Sequence, residues 1–412
     1  MRILLVTPMP PDRDAPSAIQ ALLMAQLRGL SARNEVSLVC VAGPDEAQIA
    51  SVDRLREEGF DVHPAIRRRG DLRRGWRRRA QLARGWLGTG RPWRTVWFAD
   101  EHAQTLIDRL VRERSFDVVA AEDDAMAAFR YPREVPAVLT VHEMGRSAPV
   151  AASGRLRRTR DLLATVDHRR WPAYQRSACS GFERIVVFTE DDARLVADLD
   201  PGFAERVRIA PFGVELPELA PAGVEEPDTM MFAGNYSHPP NVDAAVWIAE
   251  GILPRVRERR PHARLWLAGA FAPPRVLALG ALEGVEMLGT PPSLDPVLAR
   301  TALVLAPLRV GGGMRMKVLH AMAAGRAVLT TPVGAAGLGF DGAPPLAIAA
   351  DTAELADAAV ALLSDDARRA ELANSARTYV ERHHSPEAMA RRMEAVYAEA
   401  IAVTADRRSP GT

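Results

Sequence analysis

Short apolar strands alternate with amphipathic helices along nearly all of the chain, and the alternation halts once and then starts again. A strand covered on both faces reads as a continuous apolar run. A helix between two such runs implies a crossover joining parallel strands, so the pattern points to parallel α/β sheets. Strands are predicted at Ile3–Thr7, Val36–Val41, Val62–Ile66, Val118–Ala121, Ala137–Val141, Arg184–Phe188 and Val207–Ala210, then at Thr229–Ala233, Arg264–Ala268, Val285–Leu288, Leu303–Ala306 and Ala327–Thr330. Between the two sets, residues 216–228 are rich in Pro, Glu and Ala and lack periodicity, which marks a linker. With 412 residues the chain exceeds what one core of about 250–300 residues holds. The expectation is two doubly wound, Rossmann-like domains at 1–215 and 229–385, followed by a C-terminal helical region at 386–412. Met389, Met393 and Val396 recur there at helical spacing with no strand after them, so this region is free to pack back on the first domain. Such sheets bind ligands at the carboxyl ends of their strands, and two facing sheets would share one cleft.

The chain is 48% hydrophobic and 25% charged, which fits a soluble globular protein. No run of about 18 apolar residues occurs. The first apolar run, ending at Pro8, lacks a cleavage site and reads as a strand rather than a signal peptide. Cys40 and Cys179 form neither a disulfide framework nor a CxxC metal motif, so a reducing cytoplasm is the expected setting. One segment departs from the even charge. Residues 67–94 hold eleven Arg and one acid, Asp71, interleaved with Trp76, Trp86 and Trp93, and leave 42 bases against 51 acids elsewhere. A solvated basic helix pair, a peripheral contact with an acidic membrane at the inner face, and a nucleic-acid patch all fit that composition. No nucleic-acid-binding motif accompanies it, so no nucleic-acid partner is expected.

The strand ending at Ala306 runs through Gly311, Gly312 and Gly313 into a helix whose apolar Met314, Val318, Leu319 and Met322 share a face. Glycines let the backbone approach an oxyanion, the first helical N–H groups point at it, and the helix dipole favours negative charge. Arg315 and Lys317 place cations in that first turn, where the dipole disfavours them unless an anion compensates. Lys317 is the single lysine of the chain. The plainer reading is a tight turn with solvated cations. The pattern is neither GxxxxGK[ST] nor GxGxxG, which weakens ATP-hydrolysing and dinucleotide readings.

The run from Gly311 to Leu338, GGGMRMKVLHAMAAGRAVLTTPVGAAGL, resembles the donor-site signature of family 4 retaining glycosyltransferases with the GT-B fold. Met231–Asn235, Pro240–Ala244, Trp266–Gly269, Val285–Gly289 and Ile209–Val214 are similar to the surrounding family pattern. The resemblance implies that the backbone around Gly312, Gly313, Met314 and Met316, with the Arg315 and Lys317 side chains, holds a donor diphosphate. It places Asn235 in the donor site and the main chain of Leu288 and Gly289 toward the base. Family members carry two glutamates eight positions apart where this chain has Gly312 and His320, and His320 can still offer a ring nitrogen to a ribose hydroxyl. In the first domain, His142 and Glu143 resemble a family His-Asp pair beside the reacting sugar. The loop Pro10–Ser17 lacks the family's acceptor-side glycines, and Ser17 is placed to cap the first helix.

The activity implied is transfer of a sugar from a nucleotide-sugar donor to an acceptor nucleophile with retention, an EC 2.4 reaction of carbohydrate or natural-product biosynthesis. It needs no cofactor and, without an Asp-x-Asp motif, no metal. Domain closure would form part of the cycle. A GT-B nucleotide-sugar epimerase or hydrolase and a non-catalytic nucleotide-sugar-binding protein are the alternatives. The first needs a set of acid/base carboxylates, and no obvious set stands out in the sequence.

Overall fold

The computed structural model describes residues 1–15, 17–66, 75–144, 155–221, 223–311, 315–340 and 342–408, with side chains omitted for 75–81, 155–161 and 408. The chain forms two compact units. One comprises 1–12, 26–210 and 390–412, and the other 13–25 and 211–389.

The first unit is built on seven parallel strands: β1 (Arg2–Thr7), β2 (Glu35–Ala42), β3 (Asp61–Ile66), β4 (Val118–Glu122), β5 (Ala137–Thr140), β6 (Arg184–Val187) and β7 (Val207–Ile209), in the order β3-β2-β1-β4-β5-β6-β7. The strand order reverses between β1 and β4, whose register pairs Ile3 with Val118 and Leu5 with Ala120. Loops diverge to opposite faces at that switch point and open a crevice at the carboxyl edge. Leu4, Val6, Val39, Val119, Leu139, Ile185 and Val187 are buried in one core with Ile107 and Leu110 of the helix Glu101–Glu113, an amphipathic segment capped by Asp100. The last helix, Pro386–Arg408, gives this unit its residues from Ala390 onward. Tyr397 of that helix is fully buried, and Glu399 accepts from Arg184 and Arg208.

The second unit holds six parallel strands: β8 (Glu226–Ala233), β9 (Arg264–Ala268), β10 (Val285–Gly289), β11 (Thr301–Ala306), β12 (Val328–Thr330) and β13 (Ala347–Ile348), ordered β10-β9-β8-β11-β12-β13. Its switch point lies between β8 and β11. The core joins Met230, Phe232, Leu265, Leu267, Leu303, Leu305 and Leu329 to Ile248, Ile252, Leu355 and Leu362. Together the two units form the doubly wound Rossmann-like pair of the GT-B fold expected from the alternating pattern. All twelve predicted strands are present. β13 was not predicted, because two residues carry no periodicity, and β8 starts at Glu226, inside the stretch read as linker.

Among the described residues no helix is long and apolar enough to cross a membrane. Cys40 and Cys179 are free and buried, and burial pushes both thiols up to about 12. The basic segment 67–94 lies partly outside the described residues. Within its described part, Trp86 donates through Nε1 to Asp167 at 2.7 Å, and Arg170 stacks 4.0 Å above the Trp86 ring.

Candidate functional site

In the second unit, strands β8 and β11 flank the switch point, and the loops leaving them carry the residues singled out by sequence. β11 ends at Ala306. Five residues later Gly311, at φ +148°, offers its carbonyl to the Nη2 of Arg315 at 2.9 Å. Gly312, Gly313 and Met314 lie outside the described residues. The helix begins at Met316, with Arg315 at the capping position and no side-chain cap. The carbonyl of Arg315 accepts from Val318 and Leu319, which leaves the first N–H groups of the helix pointing outward at the end where its dipole is positive.

The two cations of this turn are held differently. Arg315 is 7% exposed, and its guanidinium also donates to the carbonyl of Val333 through Nε at 3.2 Å and Nη2 at 3.1 Å. It clamps the glycine loop onto the segment after β12. Burial lowers its pKa. Lys317 is half-buried. Its Nζ donates to the Oδ1 of Asn241 and lies 4.5 Å from the centre of the Phe232 ring. Burial, and next to it the charge of Arg315, pushes the ammonium down to about 7. Asn241 completes a bridge, donating through Nδ2 to the carbonyl of Asn235 at 2.7 Å. The Asn235 side chain turns back on its own loop, accepting from the N and Oγ of Ser237 at 2.9 and 2.6 Å.

Glycines let these loops converge. A Cβ on Gly269 would stand 1.8 Å from the carbonyl oxygen of Gly234, and one on Gly234 would stand 2.9 Å from Asn241. The N–H of Gly269 donates to Gly289 at 2.7 Å, and the β10 register slips between Met287 and Gly289, whose φ is +64°. Leu288 and Gly289 thus stand at an irregular strand end, one strand over from the β8 loop. His320, one turn beyond Lys317, has its Nε2 3.8 Å from Asp295, and Asp295 also pairs with Arg13 at 3.3 Å. Burial lowers the pKa of His320, with Asp295 acting to raise it and Arg13 to lower it. Lys317 and His320 supply the polar lining of a cavity of about 30 Å³ otherwise walled by residues such as Met231, Leu294, Leu298 and Leu305.

In the first unit, the carboxyl ends of β4 and β5 gather a second polar cluster. Glu122, fully buried, accepts from Gln26 at 2.6 Å, from Thr140 at 3.0 Å and from the Nε2 of His142 at 3.2 Å. Asp123 sits at φ +82°, a conformation that costs a non-glycine residue about 1–3 kcal/mol. Its carboxylate meets Arg94 at 2.6 Å. Burial opposes its ionisation, but Arg94 and then His142 hold the carboxyl down at about 2. Asp124 accepts from Arg94 at 3.5 Å and Gln175 at 3.1 Å, and Gln175 also reaches the carbonyl of Glu143 at 3.2 Å. Ser17 receives the N–H of Gln20 and of Ala21 on its carbonyl, at the start of the helix Ala18–Ser31.

The expectation that no set of carboxylates stands out is corrected here. Glu122, Asp123 and Asp124 are consecutive, which in sequence is indistinguishable from a solvated acidic turn. The end of β4 turns them inward instead. Arg94, counted among the arginines of the basic segment, is their internal counter-ion. Asn241 and Phe232, which surround Lys317, lay within the quoted family-like segments but had no distinguishing signal of their own.

Residues 227–365 match the family model described as Glycosyl transferases group 1, a match confined to the second unit. No curated protein matches the chain by sequence. Among solved structures the chain is similar to S. aureus TarM at TM-score 0.65 and 10% identity, over 96% of this chain and 99% of that one. It is also similar to Anabaena HepE in complex with UDP-glucose at TM-score 0.63 and 13% identity, over 97% and 99%. Sucrose-phosphate synthase from Thermosynechococcus elongatus gives TM-score 0.62 and 14% identity, over 98% and 100%. At these identities the likeness establishes the GT-B fold.

Proposed function

We propose that this protein is a glycosyltransferase that moves a sugar from a nucleoside-diphosphate sugar to an acceptor nucleophile, with retention and without a metal ion. The observation that carries this reading is the helix N-terminus at Met316. It follows a glycine loop at the switch point of the second sheet, has Lys317 in its first turn, and lies inside the segment matched by the glycosyltransferase family model. Free N–H groups and one partly desolvated cation suit a diphosphate, and they matter most as negative charge grows on the leaving group. In the step proposed, the bond from the anomeric carbon to the diphosphate oxygen breaks. The acceptor oxygen bonds to that carbon from the same face, and a leaving phosphate oxygen takes the acceptor's proton. The Anabaena HepE structures contain UDP and UDP-glucose, so a uridine nucleotide is the first donor to test.

The test is release of nucleoside diphosphate from UDP-, GDP-, ADP- and dTDP-sugars, with and without candidate acceptors. Anomeric configuration is read by NMR, and turnover is repeated with a chelator. Lys317→Ala is expected to lower turnover by orders of magnitude while the protein stays folded; wild-type turnover in that variant sinks the proposal. The clustered carboxylates of the first unit favour a second reading, an epimerase or hydrolase acting on the donor alone. Against it, each carboxylate is already engaged by Gln26, Thr140, Arg94 or Gln175. Diphosphate release independent of any acceptor would support it.

A further inference from the structure

Outside the glycine loop, the polar group most at odds with its surroundings is the ring of His142. Its side chain is 6% exposed. Its Nε2 faces the carboxylate of Glu122, while its Nδ1 is buried with no hydrogen-bond partner among the described residues. A buried nitrogen without a partner is costly and uncommon, and needs an explanation. The ring follows β5 at the carboxyl edge of the sheet, beside the end of β4, and Phe188 walls one side with ring centres 5.5 Å apart.

Glu122 decides what that free nitrogen is. Its carboxylate oxygens are acceptors, and Gln26 and Thr140 already donate to one of them. The nitrogen of His142 that meets the other, Oε2, is therefore the protonated one. In a neutral imidazole, protonating Nε2 leaves Nδ1 with a lone pair and no hydrogen. We propose that Glu122 is a positioning residue that fixes His142 as the Nε2–H tautomer, so that Nδ1 accepts a hydrogen bond from a hydroxyl of a sugar substrate. The hydroxyl belongs either to the donor's sugar or to a sugar acceptor, and the same nitrogen serves both. This rests on the glycosyltransferase reading for the substrate, but the tautomer stands independently of it.

The full-length protein labelled with 15N-histidine is examined by long-range 1H–15N correlation above the pH range of histidine titration. The expected result is a protonated Nε2 and a bare Nδ1 on His142 in the wild type, and loss of that preference in Glu122→Gln. A bare Nε2 in the wild type, which requires no variant to fold, overturns the proposal. So does an unchanged tautomer in folded Glu122→Gln. The panel of UDP-, GDP-, ADP- and dTDP-glucose, the four free diphosphates and glucose alone then separate the sources. A shift of Nδ1 with a nucleotide-glucose but not its diphosphate assigns the donor sugar. A shift with glucose alone assigns an acceptor, and no shift with any sugar probe overturns the hydroxyl contact. If transfer activity is present, Glu122→Gln raises KM about tenfold for the substrate whose probe moved Nδ1. Absent transfer activity with the tautomer intact refutes the glycosyltransferase reading and spares the role of Glu122.

Discussion

Lys317 donates through Nζ to the Oδ1 of Asn241, a bond between residues 76 positions apart that ties the glycine-loop helix to the loop after β8. Burial, then Arg315, leaves this lysine titrating at about 7, so slightly above neutral pH the ammonium is largely deprotonated in the free protein. A diphosphate placed at the helix N-terminus favours the charged form and raises that pKa. Binding of a nucleoside diphosphate near pH 8 is therefore expected to take up close to one proton. Calorimetry in buffers of different ionisation enthalpy measures this, and Lys317→Met should abolish the uptake. Buffer-independent heats in the wild type would contradict it.

Arg315 serves the loop before it serves any ligand. Its guanidinium holds the carbonyls of Gly311 and Val333 together, a fork that a lysine cannot span from one ammonium. Arg315→Ala removes charged hydrogen bonds and strands buried carbonyls, at a cost of about 3 kcal/mol. Urea unfolding should show this, and donor affinity should fall as well. Arg315→Lys should recover little of either. Full recovery of stability by lysine would show that charge alone, not the fork, holds the loop.

Much of this was legible in the sequence, and the remainder divides by physical cause. Both sheets, their strands and the order of the units follow from periodicity, because a doubly covered strand must be apolar along its whole length. The anion site followed from a strand, glycines and a helix start in succession, all local signals. Asn241 and Glu122 act on residues 76 and 20 positions away, so no local pattern announces them. Arg94 was hidden by its neighbours: ten other arginines in 67–94 made its charge look like surface composition, whereas the fold directs it onto Asp123 and Asp124. Sequence also cannot say whether Arg315 points outward to a ligand or inward to its own loop. That depends on where Val333 lies.

Gly269 supports a third prediction, on the backbone of the donor-side loops. At φ +141°, with the Gly234 carbonyl 1.8 Å from where its Cβ would be, Gly269→Ala meets both strain and overlap with an atom that cannot rotate away. The loops after β8 and β9 must separate, at an expected cost of about 3 kcal/mol or more. Gly59→Ala, with φ +88° and open space around it, carries strain alone and should cost about 1 kcal/mol. Comparing the two by urea unfolding isolates the steric part, and equal losses would show that strain alone accounts for Gly269.

Arg94 and Asp123 make the acid dependence of stability predictable in sign. Asp123 ionises at about 2 in the folded protein against 3.8 for the free side chain, despite its burial, because Arg94 outweighs the cost of desolvation. A carboxyl whose folded pKa is depressed stabilises fully above 3.8 and loses that contribution as pH falls toward 2, a range worth about 2 kcal/mol. Arg94→Met strands the carboxylates of Asp123 and Asp124 in the interior, and removing one partner of a buried pair costs about 3–5 kcal/mol. In that variant burial acts unopposed by Arg94 and pushes both carboxyls upward, so they protonate at a higher pH than in the wild type. The difference between the two proteins should therefore be largest near neutral pH and narrow on acidification, as the variant neutralises its stranded charges while the wild type loses its ion pair. Circular dichroism of urea unfolding at several pH values measures it, and a difference that widens toward acid would mean that Arg94 does not set the ionisation of Asp123.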